Sequence, residues 1–97
     1  MELVLCFVAH FIGDWPFQTT FMAENKGKSW EINFYHAAVY TATFIWIAHA
    51  SWLASIILLV SHFWIDALKA RWKIIKHIWQ DQLLHFLVIF LLIIFKI

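Results

Sequence analysis

Cysteine occurs once in this 97-residue chain, proline once and glycine twice, and only 13% of the residues are charged. The lone Cys6 excludes an intrachain disulfide and, lying in an apolar run, reads as a small packing residue. There is no Gly-rich loop to cradle a phosphate, no Ser nucleophile motif and no nucleic-acid-binding module. Ser61 stands beside His62, but adjacent helical residues do not face each other, so the pair makes no nucleophile. A net charge of +1 gives no general affinity for nucleic acid. Internal repeats and low-complexity linkers are also missing. The start, Met1-Glu2-Leu3, lacks the positive region of a signal peptide, so the first apolar run is expected to stay in the mature protein.

Apolar residues are abundant, at 64%. A soluble domain sits near half apolar and about a quarter charged, and a small one has too much surface to hide such an excess. The expectation is a single integral membrane domain over 1–97, all-α, folded as a four-helix up-down transmembrane bundle. The helices are placed at about 2–22, 34–48, 52–70 and 81–95. Leu3 to Ile12 is too short to cross a bilayer, which takes roughly 20 residues. The first helix must therefore continue past Pro16 to about Met22, broken near Gly13-Pro16. Glu24 to Ser29 is a polar loop, Asn33 a candidate N-cap for the second helix, and Ser51 one for the third. The short link His49-Ala50-Ser51 makes its helices antiparallel neighbours. Residues 71–80, with Arg71, Lys73, Lys76 and His77 among Trp72, Ile74, Ile75, Ile78 and Trp79, read as a basic amphipathic loop at a membrane surface, or as a helix extension.

The loops 24–33 and 69–80 hold Lys26, Lys28, Lys69, Arg71, Lys73 and Lys76, six of the seven Lys and Arg residues, against Lys96 on the other side. The positive-inside rule makes those loops cytoplasmic, with both termini on the opposite side. Tags on both termini are expected to be accessible only from outside the cytoplasm, and cytoplasmic tags would reverse the orientation.

Ionisable residues recur inside the apolar runs at helical spacing: His10 and Asp14; His36, with Tyr40; His62, Asp66 and Lys69; Asp81 and His85, with Gln82. Each set puts an i,i+4 pair on one face. The sets fall at the end, start, end and start of successive helices. An up-down bundle brings those positions to one depth, near the cytoplasmic side. A charge in hydrocarbon costs several kcal/mol unless paired or wetted, so the groups are expected to turn inward and converge.

Imidazole plus carboxylate is a ligand set for a divalent metal, zinc foremost, with manganese or iron as alternatives. The absence of a nearby cysteine argues against a thiolate structural zinc. The candidate ligands are His10, Asp14, His36, His62, Asp66, Asp81 and His85, enough for one or two ions. Asp66, Lys69 and Asp81 are the candidate catalytic residues. Lys69 and Arg71 stand where they could hold an anionic lipid or phosphate-bearing substrate. Gln18 and Gln82 suit supporting hydrogen bonds, and Tyr40 suits orienting His36. Two plainer readings use the same groups: hydration at the interface, or purely structural His–Asp bonds between helices. His49 and His77 read as interfacial and solvated.

The ordered set His10-x-x-x-Asp14-x-x-x-Gln18, His36-x-x-x-Tyr40, His62-x-x-x-Asp66-x-x-Lys69 and Asp81-Gln82-x-x-His85, with Met22-Ala23-x-x-Lys26, resembles a family of small bacterial and phage membrane proteins of unknown function. It is more distantly similar to inner-membrane proteins described as membrane-bound metal-dependent hydrolases. The resemblance implies a bacterial inner membrane as the location and implies no substrate. The leading expectation is a metal-dependent hydrolase acting on a lipid or other amphiphile at the cytoplasmic face. A proton or cation transporter or channel component and a non-catalytic structural membrane protein are the alternatives. The small interior makes a homo-oligomer plausible.

Overall fold

The computed structural model describes residues 2–14, 20, 28–74 and 77–97. Among them the chain is all-helical. Four α-helices, α1 (Leu3–Asp14), α2 (Trp30–Ala48), α3 (Trp52–Asp66) and α4 (Ile78–Ile94), are joined by a π-helical turn, Ala67–Arg71, that prolongs α3. No strand occurs among the described residues. The expected continuation of the first helix through Pro16 to Met22 lies outside them.

Serine caps start two of the helices. Ser51 Oγ accepts from Ala54 N at 3.2 Å, as its place before an apolar run leads one to expect. For α2 the expectation of Asn33 as N-cap is corrected: Ser29 Oγ accepts from Ile32 N at 3.3 Å, and the helix begins at Trp30. The additional turn stacks Trp30 on Phe63, with ring centroids 5.5 Å apart. It also buries Asn33, whose Nδ2 donates to Phe63 O at 3.1 Å and ties α2 to α3.

Of residues 71–80, expected as a basic amphipathic loop, 75 and 76 lie outside the described residues. The π-turn closes with Trp72 N donating to Ala67 O at 3.0 Å. Lys73 then adopts a left-handed φ of 55°, and α4 starts at Ile78 rather than Asp81, with His77 N donating to Gln80 Oε1 at 3.3 Å.

Successive helices run antiparallel. Along α1 and α4, Phe7 meets Phe86 and Phe90 while His10 meets Gln82, so the partner number falls as the α1 number rises. Between α2 and α3, Asn33 meets Phe63 and Tyr40 meets His62. Gly13 was expected to favour a break, yet it is helical and has no positive φ. It serves close approach instead: a Cβ there would lie 3.2 Å from Tyr40 Cα and 3.3 Å from Thr43 Cβ. With the small Cys6 and Ala9, both fully buried, it lets α1 lie tightly on α2.

The buried side chains include many polar ones, and many large apolar ones are exposed. His10, Asp14, Asn33, His36, His62, Asp66, Asp81 and His85 are all buried, whereas Trp46, Trp52, Ile94 and Phe95 are two-thirds or more exposed. At the end away from the polar groups the interior is apolar, built from Phe44, Ala54, Leu58, Ile89 and Leu92.

Candidate metal centre

The polar groups meet at the end of the bundle where α1 and α3 finish and α2 and α4 begin. Antiparallel packing puts Asp14, the last residue of α1, beside His36 in the second turn of α2. Asp66, the last residue of α3, then lies between His36 and α4. The i,i+4 spacing does the local work. His62 Nε2 is 3.3 Å from Asp66 Oδ2, and His85 Nε2 is 3.2 Å from Asp81 Oδ1.

Four side chains from three helices form the tightest group. His36 Nε2 lies 3.4 Å from Asp14 Oδ1 and 3.1 Å from Asp66 Oδ2, and His62 Nε2 lies 3.7 and 3.3 Å from the same two oxygens. Ligands about 2.0–2.2 Å from a common tetrahedral ion stand roughly 3.3–3.6 Å from one another. The observed spacings bracket that value. Neither nitrogen of His62 is aligned with a hydrogen-bond acceptor or donor, although the ring is fully buried. A buried imidazole nitrogen facing carboxylates without an aligned hydrogen bond suits a shared cation as well as a His–Asp ion pair. Asp14, His36, His62 and Asp66 each offer one donor atom within 4.8 Å of the others, and Asp14, Asp81 and His85 do the same.

The surrounding side chains fix these donors. The rings of Tyr40, His62 and His85 form a stack, with centroids 3.9 Å apart between the first two and 4.5 Å between the second two. Stacking sets both imidazole planes. His10, a candidate ligand, is placed differently from the other three histidines. Its Nδ1 meets Tyr40 Oη and its Nε2 meets Gln82 Oε1, each at 2.6 Å. Both ring nitrogens are thus engaged, and His10 stands behind the donors rather than among them. Gln82 in turn donates from Nε2 to Asp14 Oδ2 at 3.1 Å and Asp81 Oδ2 at 3.3 Å. That is the supporting role its position suggested. Tyr40 meets His10 and stacks on His62, and its i,i+4 relation to His36 puts those two on one helix face. Gln18 lies outside the described residues.

Lys69 projects from the π-turn and sets Nζ 3.3 Å from Asp81 Oδ2, its side chain about a third exposed at 32%. It links the buried cluster to the surface. Arg71, paired with Lys69 in the sequence reading, is turned away and lies over the Trp30 ring at 4.2 Å. His49 and His77 are exposed.

With the imidazoles neutral, Asp14, Asp66 and Asp81 carry three negative charges and Lys69 one positive charge. Two negative charges are left unbalanced in a buried site. Protons or cations must offset them, because an unpaired buried charge costs several kcal/mol. A divalent ion held by His36, His62, Asp14 and Asp66 would do so with matching ligand chemistry.

A family model described as "Protein of unknown function (DUF3307)" matches residues 3–97. No curated protein and no solved structure matches the chain.

Proposed function

The chain belongs to the DUF3307 family of proteins of unknown function, and from its own donor set we propose a membrane-embedded, divalent-metal-dependent hydrolase acting on a lipid or other amphiphile at the cytoplasmic face. One observation carries this reading: His36, His62, Asp14 and Asp66 bring one donor atom each within 4.8 Å of the others, with nitrogen–oxygen distances of 3.1 to 3.7 Å. Zinc fits this mixed nitrogen and oxygen set best, with manganese and iron as the other candidates. A divalent ion there supplies Lewis acidity and lowers the pKa of water. The chain's part is to hold the donors, fix their planes through the Tyr40 stack, and bring Lys69 to the rim.

Several features support a bilayer as the solvent. Trp52–Lys69 is long and apolar enough to cross a membrane, and Leu3–Asp14 and Trp79–Ile94 are shorter apolar helices. The bundle is 34 Å long, against roughly 30 Å for a hydrocarbon core. Large apolar side chains stay exposed on all four helices. Exposed Trp30, Trp64 and Trp72 gather beside Arg71 and Lys69 at the polar end, where a headgroup region would accommodate them. A proton or cation conductor would use the same histidines and carboxylates. The apolar layer of Phe44, Leu58, Ile89 and Leu92 across the far half favours chemistry at one face instead.

Elemental analysis of the detergent-purified protein is the direct test. Bound transition metal is expected in the wild-type chain and absent from His62→Ala. A metal-free wild type that stays folded and takes up none of the supplied zinc, manganese or iron would sink the reading.

A further inference from the structure

We infer that the cluster holds two divalent cations, with Asp14 shared between their donor groups and Asp66 facing both, and that this pair, with Lys69, takes an anionic phosphoryl group as the reacting part of the substrate; the inference rests on the metal-dependent reading above. The two oxygens of Asp66 face different imidazoles. Oδ2 lies 3.1 Å from His36 Nε2 and 3.3 Å from His62 Nε2, while Oδ1 lies 3.8 Å from His85 Nε2. A carboxylate so placed can give one oxygen to each of two ions. Asp14 belongs to both donor groups, with His36, His62 and Asp66 on one side and with Asp81 and His85 on the other.

A cluster of acids would not by itself define a second site. His85 supplies the independent observation. It is 2% exposed, and its Nε2 points at Asp66 Oδ1 and Asp81 Oδ1 without an aligned hydrogen bond. Asp81 Oδ1 likewise has no hydrogen-bond donor. The second position therefore repeats the pattern of the first: a buried imidazole nitrogen and carboxylate oxygens facing each other at 3.2 and 3.8 Å.

Charge then selects the substrate class. One dication together with Lys69 balances the three carboxylates and leaves no net charge to draw an anion. Two dications leave a single positive charge, and Lys69 at the rim adds another. An excess of two positive charges in a low-dielectric pocket is stabilised by a dianion, and a phosphate monoester is one. A neutral carboxylic ester would leave that excess unmet. Paired metal ions about 3.5–4 Å apart hold the attacking and leaving oxygens of an in-line displacement at phosphorus. In that reaction the oxygen of a water molecule bonds to phosphorus and the ester P–O bond breaks. The water's proton ends on the departing alkoxide, giving an alcohol and inorganic phosphate, with no oxidant or further reactant.

The test is a manganese titration of the full chain in detergent after chelation, followed by electron paramagnetic resonance. Two Mn2+ per chain with an exchange-coupled spectrum are expected, and one uncoupled Mn2+ in Asp81→Ala. One uncoupled ion in the wild type would overturn the pair and leave the single-metal hydrolase standing; no bound ion would overturn both. The wild-type result does not depend on the variant folding. Inorganic phosphate, and separately phosphatidic acid in mixed micelles, are then added to the loaded protein. A spectral change at lower phosphatidic acid than phosphate concentration assigns a lipid headgroup. Equal sensitivity assigns free phosphate. No change with either overturns the phosphoryl assignment.

Discussion

Asp66→Asn is expected to remove bound metal almost completely while leaving the chelated protein at least as stable as the wild type. The amide keeps the carboxylate's shape, so packing is conserved. It loses the charge, and its nitrogen cannot ligate. Because Asp66 faces His36, His62 and His85 at once, metal affinity should fall by more than the roughly 10- to 100-fold that losing a supporting partner produces. Wild-type protein saturated with metal at about 1,000 times its Kd gains about 4 kcal/mol over the chelated form, and the variant should gain almost none. With a chelator the sign reverses, because the substitution deletes one of two unbalanced negative charges at a site 1% exposed. Thermal unfolding in detergent, with and without zinc, reads both effects. If the cluster were only a structural His–Asp network, Asp66→Asn would instead lower the unfolding midpoint in chelator and show no metal dependence. That outcome would favour the non-catalytic reading.

The same residues show why the cluster could be read from the chain and its details could not. His62 with Asp66 and Asp81 with His85 are i,i+4 pairs, so helix geometry alone puts each pair on one face. Apolar flanks argue against a stripe on a helix surrounded by water. Short links and helix ends then bring the pairs to one level, which is where they meet. Pairwise choices inside that cluster are another matter. His10 has the same spacing to Asp14 as His62 has to Asp66, yet Tyr40 and Gln82 engage both its nitrogens. Nothing in the spacing reveals that two neighbouring helices present those partners. Local capping was ambiguous in the same way. Ser29 and Asn33 are both good N-cap residues four positions apart, and the packing of Trp30 on Phe63 goes with the earlier start. The π-helical turn had no signal either, because Ala67 to Arg71 suits an ordinary α-helix by propensity. Such turns cluster at functional sites, and this one carries Lys69 to Asp81.

Lys69→Met is expected to tighten the metal next to Asp81 and slow the reaction, two effects of opposite sign from one substitution. In the wild type the ammonium competes with the ion for Asp81, whose side chain is 4% exposed. Partly exposed pairs of this kind contribute up to about 1 kcal/mol, so removing Lys69 should raise affinity for the second ion by roughly fivefold. Its other task is to meet an anionic substrate at the rim. Losing a preorganised donor for developing negative charge costs about 100- to 1,000-fold where it is fully buried. At a partly exposed side chain, kcat/KM for phosphatidic acid in mixed micelles should fall by about 10- to 100-fold. Lys69→Arg keeps the charge and should restore most of the rate, while Lys28→Met and Lys73→Met, both exposed, should change neither quantity. A structural lysine would behave differently: its loss would weaken metal binding along with the fold, and arginine would rescue stability without separating affinity from turnover.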